Sequence, residues 1–210
     1  RGNNYHNMRP ENRFSTWWGD EFVRTDIEKC YIINKENGKE KELLSLDDIN
    51  RWIATKDSLN KLRSLLYASF PYSNKTLLLV KNENKRFLID FKRHKLVWQQ
   101  SCKDESNSDW NSNSRATAFV KNNNLFVNDN NGKTTQLSTD GSYDIVYGQS
   151  VHRDEFGIYK GTFWNKAGNK LAFYRMDQSM VTDYPLVDID TRISTETPIK
   201  YPMAGEKSHK

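Results

Sequence analysis

One pattern recurs four times along this chain: an aromatic residue, a polar turn, then an apolar strand. The clearest copy runs from Phe163-Trp164 over Asn165-Lys166-Ala167-Gly168-Asn169-Lys170 to Leu171-Ala172-Phe173-Tyr174. A second joins Trp110 to Ala118-Phe119-Val120, a third joins Phe70-Pro71-Tyr72 to Leu77-Leu78-Leu79-Val80, and the loosest joins Trp17-Trp18 over Gly19-Asp20 to Phe22-Val23. Turn formers flanked by strand formers read as β-hairpins. Further strands follow the hairpins. Lys29-Cys30-Tyr31-Ile32-Ile33 leads through Asn37-Gly38 to Glu42-Leu43-Leu44, Phe87-Leu88-Ile89-Asp90 is followed by Lys95-Leu96-Val97-Trp98, and Asn124-Leu125-Phe126-Val127 leads through Asn131-Gly132 to Thr135-Gln136-Leu137. Each unit thus holds about four strands over about 40–50 residues, the strand count and period of a β-propeller blade. A lone blade cannot bury its own faces, and stacking blades around an axis covers them. The expected fold class is all-β, a partial β-propeller of about four four-stranded blades; a β-sandwich is the competing arrangement.

Residues 45–66 break the repeat and predict a short helical insertion between the first two blades. Ser45 with Asp48 three residues on is a capping-box-like start, and Ile49, Trp52 and Ile53 share a helical face. Asp57 or Ser58 can cap a second turn carrying Leu59, Leu62, Leu65 and Leu66, a leucine face read as packing.

Composition narrows the function classes. Aromatics make up 12% of the 210 residues, which argues against disorder, and no apolar run approaches a spanning helix. The net charge of +5 is scattered, with no basic stripe or motif for nucleic acid. The four histidines, His6, His94, His152 and His209, match no metal spacing, and no phosphate-binding or dinucleotide glycine pattern occurs. Neither metal nor cofactor is expected. Cys30 and Cys102 can pair or stay reduced. Ser150, in Gly148-Gln149-Ser150-Val151-His152, is the nearest candidate nucleophile, but it lacks the second glycine of a nucleophile elbow and a strand-turn-helix setting.

The second break, residues 142–160, holds the most informative element: Val151-His152-Arg153-Asp154-Glu155-Phe156-Gly157-Ile158, which interrupts an inter-blade connection just before Phe163-Trp164. Two adjacent carboxylates flanked by apolar residues can bind a cation, and the free α-amino group of a peptide is one. The other reading of the same residues is a solvated turn with Arg153 as local counter-ion.

That element, then Gly161-Thr162-Phe163-Trp164, then Leu171-Ala172-Phe173-Tyr174-Arg175-Met176-Asp177, then Tyr201-Pro202-Met203-Ala204-Gly205, occur in order. The series resembles the N-terminal β-propeller region of the dipeptidyl peptidase IV family of serine peptidases, most of all the bacterial branch that includes the prolyl tripeptidyl aminopeptidases. The likeness runs from about Arg9 to Lys210, strong and ordered from Tyr147 onward and only architectural before Trp110.

The resemblance implies an eight-bladed propeller capping an α/β-hydrolase domain that carries the Ser-Asp-His triad. The propeller supplies a glutamate pair that holds the substrate's free N-terminus, so the enzyme removes short Xaa-Pro units from peptide ends. On this chain the pair falls at Asp154 and Glu155, with His152 and Arg153 in support. Glu155 followed by Phe156 is the firmer match. Asp154 stands where a second glutamate is usual, His152 where a tyrosine is common, and no arginine lies between Leu96 and Asp109 to touch the substrate backbone. Dipeptidyl and tripeptidyl cleavage therefore both remain open.

Residues 1–210 accordingly read as the N-terminal part of a propeller domain, about half of it, with the catalytic hydrolase domain absent and no activity expected of the fragment alone. The implied partners are a peptide with a free N-terminus, the C-terminal hydrolase domain of the same parent chain, and a second copy in a homodimer; the implied location is the periplasm or cell surface. An open half-propeller is also expected to self-associate or close abnormally. The rival reading is a stand-alone propeller-like module that binds peptide or carbohydrate.

Overall fold

The computed structural model describes residues 13–150, 157–190 and 192–210. The chain divides into two compact units, residues 1–103 and 104–210.

The first unit begins with an antiparallel meander, β1 (Phe14–Trp18), β2 (Glu21–Thr25), β3 (Lys29–Ile33) and β4 (Glu40–Ser45), paired in that order. Helix α1 (Leu46–Ala54) follows directly. Ser45 caps it as its sequence predicts: the hydroxyl oxygen accepts from Asp48 N at 3.2 Å and the hydroxyl donates to Asp48 Oδ2 at 2.7 Å. Ile49 and Ile53 are buried on its inner face, and the Trp52 ring stacks on His94 at 4.8 Å.

The expected second helical turn does not form. Residues 55–66 carry no helix, and Leu59, assigned to the leucine face, is 92% exposed. Asp57 is engaged elsewhere, accepting from Asn60 and from Lys85 Nζ at 2.6 Å. The Asn50 side chain grips the backbone of Leu62, donating to its carbonyl at 3.1 Å and accepting from its N–H at 2.8 Å. A backbone so held cannot also close a helical turn. Leu62 and Leu65 still reach the core, from a loop.

Three strands complete this unit: β5 (Leu77–Lys81), β6 (Lys85–Asp90) and β7 (Lys95–Ser101). The third predicted hairpin shrinks to one bridge, Ser69 with Leu79, because Pro71 lacks the N–H to extend a ladder. One continuous core joins both sheets, the helix and the loop, through Val23, Cys30, Ile53, Leu65, Phe87 and Ile89. Cys30 and Cys102 are not bridged, and burial, with Asp26 adding to it, pushes the Cys30 thiol up to about 12.

The second unit opens on another four-stranded meander, β8 (Ser106–Trp110), β9 (Thr117–Lys121), β10 (Asn124–Asn128) and β11 (Thr134–Gln136). Six strands follow: β12 (Ile145–Tyr147), β13 (Thr162–Trp164), β14 (Leu171–Phe173), β15 (Arg175–Asp177), β16 (Asp183–Asp188) and β17 (Thr195–Lys200). They pair β12 with β15, β13 with β14 and β16 with β17. The predicted hairpins at Trp110 and Phe163 form as β8–β9 and β13–β14, and their turns abut. Asn113 Nδ2 donates to Lys166 O at 2.6 Å, and a Cβ on Gly168, whose φ is +71°, would lie 2.4 Å from Asn111 Oδ1. Among the described residues, Ala118, Leu125 and Tyr147 form a buried cluster in this unit, with Val127, Ile145, Trp164 and Leu171 packed at its margin. The described residues are thus all-β with a single short helix, and none of their helices is long and apolar enough to cross a membrane.

Candidate functional site

The second break sits at the junction of two of those pairs. Strand β14 passes into β15 through Tyr174. Along one side of this line run β12, whose Tyr147 faces Arg175, and β13, whose Thr162 faces Phe173. Gly148 N donates to Tyr174 O, and Tyr174 N donates to Gly161 O, each at 2.9 Å. Residues 148 and 161 therefore meet the same partner, Tyr174, from the two sides of the second break. The sequence places the acidic element in an inter-blade connection; the described residues on either side of it, Gly148 and Gly161, bond to one residue, as the two ends of an enlarged bulge would.

Two devices fix the stem. Gly161 is buried and lies so close to Gln149 that a Cβ there would come within 2.4 Å of the Gln149 backbone; only glycine allows that approach. Asp109 at the end of the β8 ladder ties the returning limb. Its carboxylate accepts from Lys160 Nζ at 3.0 Å and from Thr162 Oγ1 at 3.1 Å, and its carbonyl accepts from Trp164 Nε1 at 2.9 Å. Beneath the departing limb, Tyr147 donates to Asp140 Oδ1 at 2.6 Å, while Arg175 donates to Tyr147 Oη and to Asp140 Oδ2, both at 3.0 Å. The hydrogen bond from Tyr147, then that from Arg175, holds the Asp140 carboxyl below the usual carboxylate range, and the bond to Asp140 raises the Tyr147 hydroxyl.

A cavity of about 360 Å³ lies at this stem, lined among others by Asn123, Tyr143, Gln149, Ser150, Met176 and Gln178. Amide side chains offer donors and acceptors together, which suits a peptide main chain. Ser150 is buried in its wall. The sequence-predicted anchor residues Asp154 and Glu155, with His152 and Arg153, lie outside the described residues; so does His6. What the structure supplies is the mount. Its residues Asp109, Asp140 and Lys160 carry no sequence signal, because each acts through a partner at least seven positions away, whereas Gly161, Thr162 and Tyr174 fall within the ordered motifs.

An all-β series of antiparallel strand pairs, with Gly148 and Gly161 meeting on Tyr174, defines a class, and comparison with known proteins gives its family. The family described as the dipeptidyl peptidase IV N-terminal region matches residues 73–210, and the chain belongs to it. Its region of that family is the N-terminal, non-catalytic one. A crystal structure from Bacteroides ovatus assigned as a dipeptidyl aminopeptidase IV superposes with a TM-score of 0.74 and 37% identity, covering 96% of this chain and 27% of that one. Porphyromonas gingivalis dipeptidyl peptidase 4 shares the fold, with a TM-score of 0.64 at 20% identity over 96% of this chain and 31% of that one. A protein of Ajellomyces capsulatus assigned as dipeptidyl-aminopeptidase B is 35% identical over 112 residues, which is 46% of this chain and 12% of the relative. The chain therefore spans only about an eighth of the curated relatives it matches and about a quarter of the Bacteroides structure.

Proposed function

We propose that this chain is the N-terminal propeller part, about four of eight blades, of a serine exopeptidase that removes Xaa-Pro dipeptides or Xaa-Xaa-Pro tripeptides. In this reading the loop of residues 149–160 presents Asp154 and Glu155 to the substrate's free α-ammonium group, with His152 and Arg153 beside them. Paired carboxylates gain most from an ammonium partner, and lose most when it is missing, where they are shielded from water. That turns the propeller into a device that measures from the peptide's end. The reaction itself belongs to an α/β-hydrolase domain on the same parent chain. Export to the periplasm or cell surface and homodimerisation accompany this reading.

The observation that supports the proposal is the stem: in a chain that belongs to the family's N-terminal region, Gly148 and Gly161, which flank the acidic element in sequence, both bond to Tyr174, and an amide-lined cavity lies beside Gln149 and Ser150. The full-length gene product tests it. Downstream of Lys210 the coding sequence should continue into Gly-x-Ser-x-Gly followed by Asp and His. The purified enzyme should cleave Gly-Pro-p-nitroanilide or Ala-Ala-Pro-p-nitroanilide, and N-acetylation of the preferred substrate should lower kcat/KM by about 100-fold or more, the scale of losing a buried charge pair. A stop codon shortly after Lys210, or equal cleavage of free and acetylated substrates, would overturn it.

A further inference from the structure

The first unit carries a second cavity, of about 350 Å³, between the loop that follows α1 and the β5–β6 turn. Its walls are fixed. Leu62 is gripped by Asn50, Leu65 N donates to Ile27 O at 2.9 Å, and Thr25 Oγ1 donates to Leu66 O at 2.7 Å. The opposite wall is held by Asn82, which accepts from Asn84 N and Lys85 N and donates to Lys61 O at 3.3 Å. Buried Ala68 and Val80 are part of the lining. Walls held in this way spare a ligand the cost of ordering them.

Its chemistry is lopsided. Lys61, Arg63 and Lys81 line it against one carboxylate, Glu83, and none of these three cations has an ion-pair partner among the described residues. The neighbouring Asp57 is already taken by Lys85 at 2.6 Å. Two large apolar side chains also line it, Leu59 at 92% exposure and Tyr67 at 77%. A leucine and a tyrosine held in water beside three unpaired cations lose free energy that an amphipathic anion would recover.

We propose that this cavity binds a peptide segment carrying a carboxylate side chain next to an apolar one. Arg63, with Lys61 and Lys81, receives the carboxylate, and Leu59 and Tyr67 cover the apolar neighbour. Its volume suits about two residues, at the low end of the usual range for ligand pockets of roughly 300–1,000 Å³.

The probe is acetyl-Gly-Leu-Glu-Gly-amide, titrated against the full-length protein by calorimetry. Its blocked N-terminus removes any role for the α-amine anchor, so failure here is distinguishable from failure of the exopeptidase reading. The glutamate peptide should bind about ten-fold more tightly than its glutamine counterpart, with the advantage shrinking as salt is raised. Arg63→Glu combined with Lys81→Glu should abolish that preference, and Leu59→Ser should weaken both peptides, at exposed positions that leave thermal unfolding unchanged. Glu155→Gln should leave the binding as it is. Equal affinity for the two peptides, indifference to the charge reversals, or octanoate binding as tightly as the peptide would overturn the proposal.

Discussion

The two units solve the same problem with different means. Residues 13–103 place one apolar core between a four-stranded sheet, a helix and a three-stranded sheet, with Phe87, Ile49 and Leu65 fully enclosed. Among the described residues of 104–210, one buried cluster joins three side chains, and several strands shorten to three residues. Side chains take over there. Asn124 Oδ1 accepts from Gly141 N at 2.8 Å, and Lys200 is held between Asp144 and Asp183, each at 3.3 Å. Burial works against the Lys200 charge, yet the two carboxylates hold it above its ordinary value. Apolar packing makes a scaffold; directional polar ties can pin one loop at one place. The unit with the weaker core is the one that carries the acidic element.

That contrast predicts unequal costs. Phe87→Ala in the first unit should be the most damaging change, at about 3–5 kcal/mol, because it opens a cavity in close-packed surroundings; chemical denaturation measures it, and a loss under about 1 kcal/mol would mean the core is less continuous than it looks. In the second unit, Gly161→Ala should cost about 1–3 kcal/mol, since the new methyl group must displace the Gln149 backbone. Asp109→Ala should cost only about 1 kcal/mol globally, the worth of one partly exposed ion pair and hydrogen bond. Hydrogen exchange around residues 158–164 should nonetheless rise in that variant while β5–β7 stay protected. Uniform loss of protection across both units would erase the distinction drawn between them.

Periodicity made the strands legible. The hairpins at Trp17, Trp110 and Phe163 form, as do the Asn37-Gly38 and Asn131-Gly132 turns, because turn type and strand propensity act over a few residues. The Ser45 cap was legible for the same reason. The leucine-spaced stretch beyond Asp57 was not: Asn50 reaches twelve positions along the chain to hold Leu62, and no local pattern announces that contact. The site divides similarly. The ordered motifs pointed to the family, which the match over residues 73–210 bears out, while the stem built by Asp109, Tyr174 and the approach of Gly161 to Gln149 depends on pairings that spacing alone does not reveal.

The account rests on the loop of residues 149–160 being an anchor for a substrate's N-terminus, and Glu155→Gln in the full-length enzyme tests it most directly. The substitution keeps size and removes charge. The account predicts that kcat/KM for the free-amine Xaa-Pro substrate falls by about 100-fold, a few kcal/mol, while the slow cleavage of its N-acetylated form is unchanged. An equal fall for both substrates, or none for either, would contradict it.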